Sequence, residues 1–199
     1  MPFSSKAFDH ILVDHIRRLT PSRILDVGGG AGKNGNLIKN SGYTGILDTI
    51  EPTESYIKEF NLSNIYNTVF PVSIQDFIKT EYKFQYDVAI FGDVLEHLFR
   101  SEAMDYIDYF LYKCKWLIIC WPNNMAQDDY GGNPYEIHKS NFNINDLTQK
   151  FDVQYYIKNF CYFNDNNPHL SDAFLNYSVI KGYLTPRYEA IYKLQENDL

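Results

Sequence analysis

The chain has 199 residues, 45% of them hydrophobic and 22% charged, enough for one domain around one substantial core and too few for two ordinary ones. Its net charge of −7 makes phosphate-driven nucleic-acid binding unlikely, since that mode draws its affinity from clustered Lys and Arg. No apolar run reaches the about 18 residues that a spanning helix needs, and Met1-Pro2-Phe3-Ser4-Ser5-Lys6 lacks the apolar core of an export signal, so one soluble cytoplasmic domain over residues 1–199 is expected, with no membrane partner.

Phe8, Ile11, Leu12, Ile16 and Leu19 recur at three-and-four spacing and predict a cap helix within residues 1–20, ended by Pro21. Arg23 to Val27 follows as a short buried strand, runs into a glycine cluster, and leads to a helical stretch around Asn36 to Asn40. The alternation continues with strands at Gly45 to Glu51 and Tyr66 to Phe70, and with helices at Thr53 to Phe60 and Ser73 to Thr80. Tyr86 to Phe91 and Trp116 to Trp121 are the most apolar strands, with a helix from Ser101 to Leu111 between them. Such alternation builds a parallel sheet. Residues 122–142 form a polar, turn-rich loop with Gly131-Gly132-Asn133-Pro134 at its centre, and a loop of that length in a compact domain is more often functional than idle. A short helix from Asn145 to Lys150 precedes strands at Val153 to Phe163 and Asn176 to Tyr183, an antiparallel hairpin turning at Asn164 to Pro168, and Thr185 to Leu199 reads as a terminal helix. Cys114, Cys120 and Cys161 are odd in number and suit free thiols.

Between the first strand and its helix lies Leu25-Asp26-Val27-Gly28-Gly29-Gly30-Ala31-Gly32. Glycines there allow a tight turn and close approach of a ligand to the backbone. A phosphate-binding P-loop fails, because Gly32-Lys33 is followed by Asn34 and Val27 stands where its first Gly belongs. The dinucleotide fingerprint matches only from Gly30, too far beyond the strand. An acid followed by alternating glycines resembles the class I S-adenosylmethionine-dependent methyltransferases. The resemblance covers most of the chain. It implies a Rossmann-like α/β fold with seven strands in the order 3-2-1-4-5-7-6, mostly parallel with an antiparallel last strand. It also implies S-adenosylmethionine as cofactor, with Asp26, Gly28, Gly30 and Gly32 in its loop. Glu51 at the end of strand two would take the ribose hydroxyls, and Asp76 would lie near the adenine amine. Asp48 is the rival to Glu51, but its central place in the strand tells against it.

Strand four runs into Gly92-Asp93-Val94-Leu95-Glu96-His97, a segment that in similar methyltransferases lies under the transferable methyl. The resemblance makes Asp93 a cofactor and catalytic residue and His97 the general base, suited by an imidazole's pKa. Tyr130, Tyr135 and His138 of the long loop are expected to touch the acceptor, an oxygen or nitrogen of a small-molecule or saccharide-like compound. No metal is needed on that reading. A second reading resembles the small-RNA 3′-terminal 2′-O-methyltransferases, in which Asp93, Glu96, His97 and His138 would hold a divalent ion. A third is a cofactor-binding partner subunit without activity. Asn133-Pro134-Tyr135 is similar to the motif of amino-methylating DNA enzymes but comes one strand late, and no Cys follows a Pro as the cytosine-C5 class requires. Part of the aromatic content, 17 Tyr and 14 Phe, is assigned to the acceptor pocket and the rest, including Phe84, Tyr86, Phe91, Phe110, Trp116, Phe151 and Phe160, to the core. Tyr162 and Phe163 precede the closing turn.

Overall fold

Alternate residues of the central strands pack to opposite sides of one sheet, as the pleat requires. The computed structural model describes residues 5–80, 85–160 and 174–185. In chain order these form α1 (Asp9–Leu19), β1 (Arg23–Val27), α2 (Lys33–Asn40), β2 (Ile46–Ile50), α3 (Glu54–Glu59), α4 (Leu62–Ile65), β3 (Thr68–Phe70), α5 (Ile74–Lys79), β4 (Tyr86–Gly92), α6 (Arg100–Leu111), β5 (Cys114–Asn123), α7 (Ile144–Thr148), β6 (Val153–Phe160) and β7 (Phe174–Lys181). Single 3₁₀ turns lie at Leu95–His97 and Pro134–Glu136. Ile24, Val88, Ile90, Trp116 and Ile118 pack with Leu12, Ile16 and Leu19 of α1 and Ile38 of α2. Their neighbours Leu25, Ala89, Phe91, Leu117 and Ile119 pack against Phe77 of α5 and Ile107 and Phe110 of α6. The sheet is thus sealed on both faces, which is why its strands read as unbroken apolar runs.

The strand order is 3-2-1-4-5-7-6, as expected. β1 through β5 pair in parallel, and β7 enters antiparallel between β5 and β6. Three local differences have physical causes. β5 extends through Pro122, which lies beyond the last β4 pairing at Gly92↔Cys120 and keeps only β7 as neighbour, so its missing N–H costs no second ladder. The short α4, absent from the sequence reading, forms because Asn61 takes a left-handed φ of 50° and turns Leu62 and Ile65 into the core. The helix expected around Asn36 to Asn40 begins three residues earlier, at Lys33. The hairpin turn and the terminal helix expected beyond Thr185 lie outside the described residues, as do Phe84, Cys161, Tyr162 and Phe163, while Cys114 and Cys120 are free thiols. No helix among the described residues is long and apolar enough to cross a membrane.

Candidate active site

The order β3-β2-β1-β4 places a reversal between β1 and β4, and open α/β sheets hold ligands outside the carboxyl ends of strands at such a point. A cavity of about 790 Å³ opens there, within the range of small-molecule sites. Gly28, Gly29 and Gly30 floor it. A methyl group on Gly28, whose φ is +77°, would lie 2.7 Å from Val94 Cγ2, and one on Gly29 would lie 2.5 Å from Thr49 Oγ1. The backbone is therefore bare on this side because a side chain has no room.

Glu51 stands one residue past β2 and is 4% exposed. Its Oε2 accepts from Gly30 N–H at 2.8 Å and its Oε1 from Thr53 N–H at 2.8 Å. Each oxygen keeps a further lone pair for a ligand hydroxyl. Burial raises its pKa, against the pull of those two backbone donors. Asp48 is instead enclosed within the sheet, accepting from the Tyr86 hydroxyl at 3.0 Å. Asp76 lines the cavity in the first turn of α5, where its N–H donates to the Oγ of the N-cap Ser73 and its carboxylate accepts from that same hydroxyl.

Two of the expected cofactor residues do not line the cavity. Asp26 is 1% exposed, and its carboxylate accepts from the Tyr66 hydroxyl at 2.6 Å and from Asn34 Nδ2 at 3.4 Å. It holds the glycine loop from behind. Burial pushes its pKa up to about 6, opposed by these two hydrogen bonds. Gly32, with φ +73°, turns the chain into α2, where a methyl group would meet Ile65 Cδ1 at 2.4 Å. Of the three expected acceptor residues, Tyr135 and His138 line the cavity, whereas Tyr130 is 47% exposed and lies off it.

The segment after β4 carries the densest chemistry. Asp93 has a φ of +55°, uncommon for a residue with a side chain, and its N–H is fixed on the Cys120 carbonyl at 2.9 Å. The 3₁₀ turn that follows brings Glu96 and His97 round to meet His138, and one ligand atom from each lies within 4.8 Å of the others. Glu96 is 2% exposed and its Oε2 has no hydrogen-bond partner among the described residues. Burial, reinforced by the Asp93 carboxylate, holds its pKa well above the usual range. His97 Nδ1 lies 3.3 Å from the Ile137 carbonyl and His138 Nδ1 lies 2.8 Å from the Met125 carbonyl. A carbonyl can only accept, so both Nδ1 atoms carry the proton and both Nε2 atoms keep a lone pair. Burial lowers both imidazole pKa values, that of His97 to about 4. A lone general base would not require this second imidazole or the orphaned carboxylate oxygen. Two imidazoles oriented through their other nitrogen, beside a buried carboxylate, could hold a transition-metal ion.

The polar loop supplies the remaining wall. Trp121 Nε1 donates to the Phe142 carbonyl at 3.0 Å, Gln127 Nε2 to the Glu136 carbonyl at 2.7 Å, and Lys139 N–H to the Glu96 carbonyl at 2.7 Å. Asn133 Nδ2 reaches Thr53 Oγ1 at 3.2 Å, joining the loop to the start of α3. Tyr56 and Glu136, which the sequence reading did not single out, both line the cavity. The only signals for them were the place of Tyr56 in the helix after Glu51 and that of Glu136 two residues before His138.

No family model matches the sequence, and no curated protein does. Solved structures do match in shape. The plantazolicin methyltransferase BpumL in complex with SAH is 18% identical, with 88% of this chain and 84% of that chain covered and a TM-score of 0.58. The N-terminal domain of EvdMO1 in the presence of SAH and D-fucose is 9% identical, with 89% and 84% covered and a TM-score of 0.59. The methyltransferase domain of bacterial CtHen1-C is 14% identical, with 87% and 95% covered and a TM-score of 0.54. With the 3-2-1-4-5-7-6 sheet and its antiparallel β7, the chain has the fold of the class I S-adenosylmethionine-dependent methyltransferases.

Proposed function

We propose that this protein is an S-adenosylmethionine-dependent methyltransferase that methylates a hydroxyl oxygen of a saccharide-like or other diol-bearing small acceptor, with a divalent metal ion held by Glu96, His97 and His138 beside Asp93. The meeting of those three side chains under one end of the cavity carries the reading. The residues suit both groups. The glycine floor is bare where the methionine part would lie, and Glu51 can accept two hydroxyl protons of a ribose. The orphaned Glu96 Oε2 and the two aligned imidazoles match a cation.

A sulfonium is already an excellent leaving group, so alignment and removal of the acceptor's proton are what the protein must add. The bound ion would act as a Lewis acid, making a coordinated hydroxyl more acidic, and the proton that hydroxyl loses would leave to the neighbouring Asp93 carboxylate or to water as the methyl is transferred. The chain's own residues do the remainder. Gly28 to Gly30 and Glu51 fix the donor, the Ile137 and Met125 carbonyls hold both imidazoles in the tautomer that exposes Nε2, and the loop from Asn133 to Lys139 lines the acceptor side of the cavity. This shifts His97 from the role of proton acceptor to that of ligand.

The likeness to an enzyme crystallised in the presence of D-fucose supports a sugar-like acceptor, as does a cavity bordered by Glu51, Asp76, Asp93, Glu96, Glu102 and Glu136, with only Lys33 and Lys139 opposed. Carboxylates in that number repel phosphates. The pattern Asp93, Glu96, His97 and His138, together with the likeness to CtHen1-C, supports RNA 3′-terminal methylation as the second reading. Two experiments test these readings. Manganese titration followed by electron paramagnetic resonance, with SAH present, should show one site per chain that Glu96→Gln removes. Labelled methyl transfer should then favour neutral polyols over an RNA oligonucleotide. Absence of SAH binding overturns the methyltransferase reading, absence of a manganese site overturns the metal, and preference for RNA selects the second reading.

A further inference from the structure

Tyr56 stands in the short α3 that follows Glu51, and its ring packs against Phe60 with centroids 5.8 Å apart. The residue is 8% exposed, lines the cavity, and carries a buried hydroxyl with no hydrogen-bond partner among the described residues. Buried hydroxyls are ordinarily paired, and an orphan at the wall of a cavity marks where a ligand atom belongs. Asn133 and Glu136 stand close enough to interact with it, beside Glu51, yet neither meets it in hydrogen-bond geometry. Asn133 is also bonded to Thr53, which ties the loop to the start of α3 beside this hydroxyl. Burial raises the Tyr56 pKa, so the phenol is protonated and available as a donor.

A ribose diol offers two O–H donors and two oxygens that also accept. Glu51 is acceptor-only and can satisfy the donors but not the oxygens' lone pairs. A neighbouring O–H supplies what Glu51 lacks. We propose that Tyr56 donates its hydroxyl proton to a ribose oxygen of the cofactor, completing with Glu51 a two-residue clamp for a cis diol. The inference rests on the reading that Glu51 holds the ribose. It makes Tyr56 a binding residue for the donor and gives the loop at Asn133 a share in closing that site.

The test uses binding alone. SAH affinity is measured by calorimetry for the wild type and for Tyr56→Phe, which keeps the ring and removes one oxygen. Adenosine, 2′-deoxyadenosine and 3′-deoxyadenosine are then measured by displacement of SAH, with thermal unfolding as the check on folding. The expected result is about fivefold weaker binding of SAH and of adenosine to Tyr56→Phe, as loss of one neutral hydrogen bond gives. With one of the two deoxynucleosides, wild type and variant should bind equally. Unchanged SAH affinity overturns the proposal, as does an equal loss for all three nucleosides, which indicates altered packing. The wild-type nucleoside series provides a further check: equal affinity for adenosine and both deoxynucleosides also overturns the clamp. Failure of the wild type to bind SAH is visible before any variant is made and refutes the cofactor reading itself.

Discussion

Asp26 gives a prediction whose size and sign both follow from its surroundings. Its carboxylate lies behind the glycine loop, accepting from Tyr66 at 2.6 Å and from Asn34 at 3.4 Å, with 1% of the residue exposed. Burial outweighs those bonds and moves the pKa from 3.8 to about 6. The folded protein therefore binds this proton more tightly than the unfolded chain does. The resulting stabilisation is fully present below the unfolded value and is lost as the pH rises through about 6. A shift of about 2 units corresponds to about 3 kcal/mol. Asp26→Asn keeps an oxygen for the Tyr66 proton and cannot ionise. The stability difference between variant and wild type should therefore move by about 3 kcal/mol in the variant's favour between about pH 4 and about pH 8. Urea denaturation at intervals across that range measures it. His15, whose pKa is lowered to about 4 by burial, has the opposite sign: its contribution is lost as the pH falls from about 6.5 to about 4. That loss is common to both proteins and cancels in the difference. A difference that stays flat, or that moves toward the wild type as the pH rises, refutes the reasoning.

Other perturbations test separate parts of the structure. Gly29→Ala places a methyl group 2.5 Å from Thr49 Oγ1, which is buried and bonded to the Asp26 carbonyl at 2.8 Å; overpacking there should cost about 1–3 kcal/mol and weaken SAH binding by at least about tenfold in calorimetry. His138→Ala should weaken manganese binding in paramagnetic resonance by more than about a hundredfold, beyond what loss of a supporting contact produces, while SAH affinity in metal-free buffer stays within about twofold. Tyr177→Phe removes the partner 2.7 Å from His15 Nδ1 beneath α1, and urea melts at neutral pH should show a loss of about 1–3 kcal/mol. Trp121→Phe frees the Phe142 carbonyl, and limited proteolysis should then cut the loop of residues 123–141 faster than in the wild type.

The strands and the cofactor end were legible because they rest on local pattern. The runs Arg23 to Val27 and Tyr86 to Phe91 are apolar enough to require burial on both faces, and a glycine cluster beyond a strand has few other uses. Asp26 shows the limit of that reading. An acid beside the glycine loop points into the ligand site or back into the core according to whether partners wait behind it, and Tyr66, distant in sequence, lies directly behind. Gly32 shows the same limit: its alternation with Gly28 and Gly30 points it at the ligand, whereas its φ serves the turn into α2. The meeting of Glu96, His97 and His138 is only half legible. The spacing from Asp93 to His97 is local, but whether His138 meets it depends on the path of the irregular loop. Tyr56 carries no signal beyond its place in the helix after Glu51, since a tyrosine on an amphipathic helix is ordinarily core.

That irregular loop brings the two halves of the site together. Its backbone forgoes regular pairing and spends its polar groups on neighbours, with the Lys139 and Ser140 N–H groups on the Glu96 carbonyl and the His138 N–H on the Gln127 carbonyl. Asn124 and Asn141 bond each other across its base. The loop is therefore built onto the turn that carries Glu96 and His97, rather than laid over it. Asn133 reaches Thr53 beside Glu51, and His138 stands five residues later beside Glu96 and His97. Moving either end displaces the other, because few residues and many hydrogen bonds separate them. Occupancy of one site should then strengthen the other by mass action, since each ligand favours the seated loop. Reciprocity fixes how that coupling must look: the factor by which manganese tightens SAH binding equals the factor by which SAH tightens manganese binding. The coupling should shrink in Asn133→Ala, which releases the Thr53 contact while leaving Glu51, Tyr56, Glu96, His97 and His138 themselves in place, and an undiminished coupling would show that the loop transmits nothing.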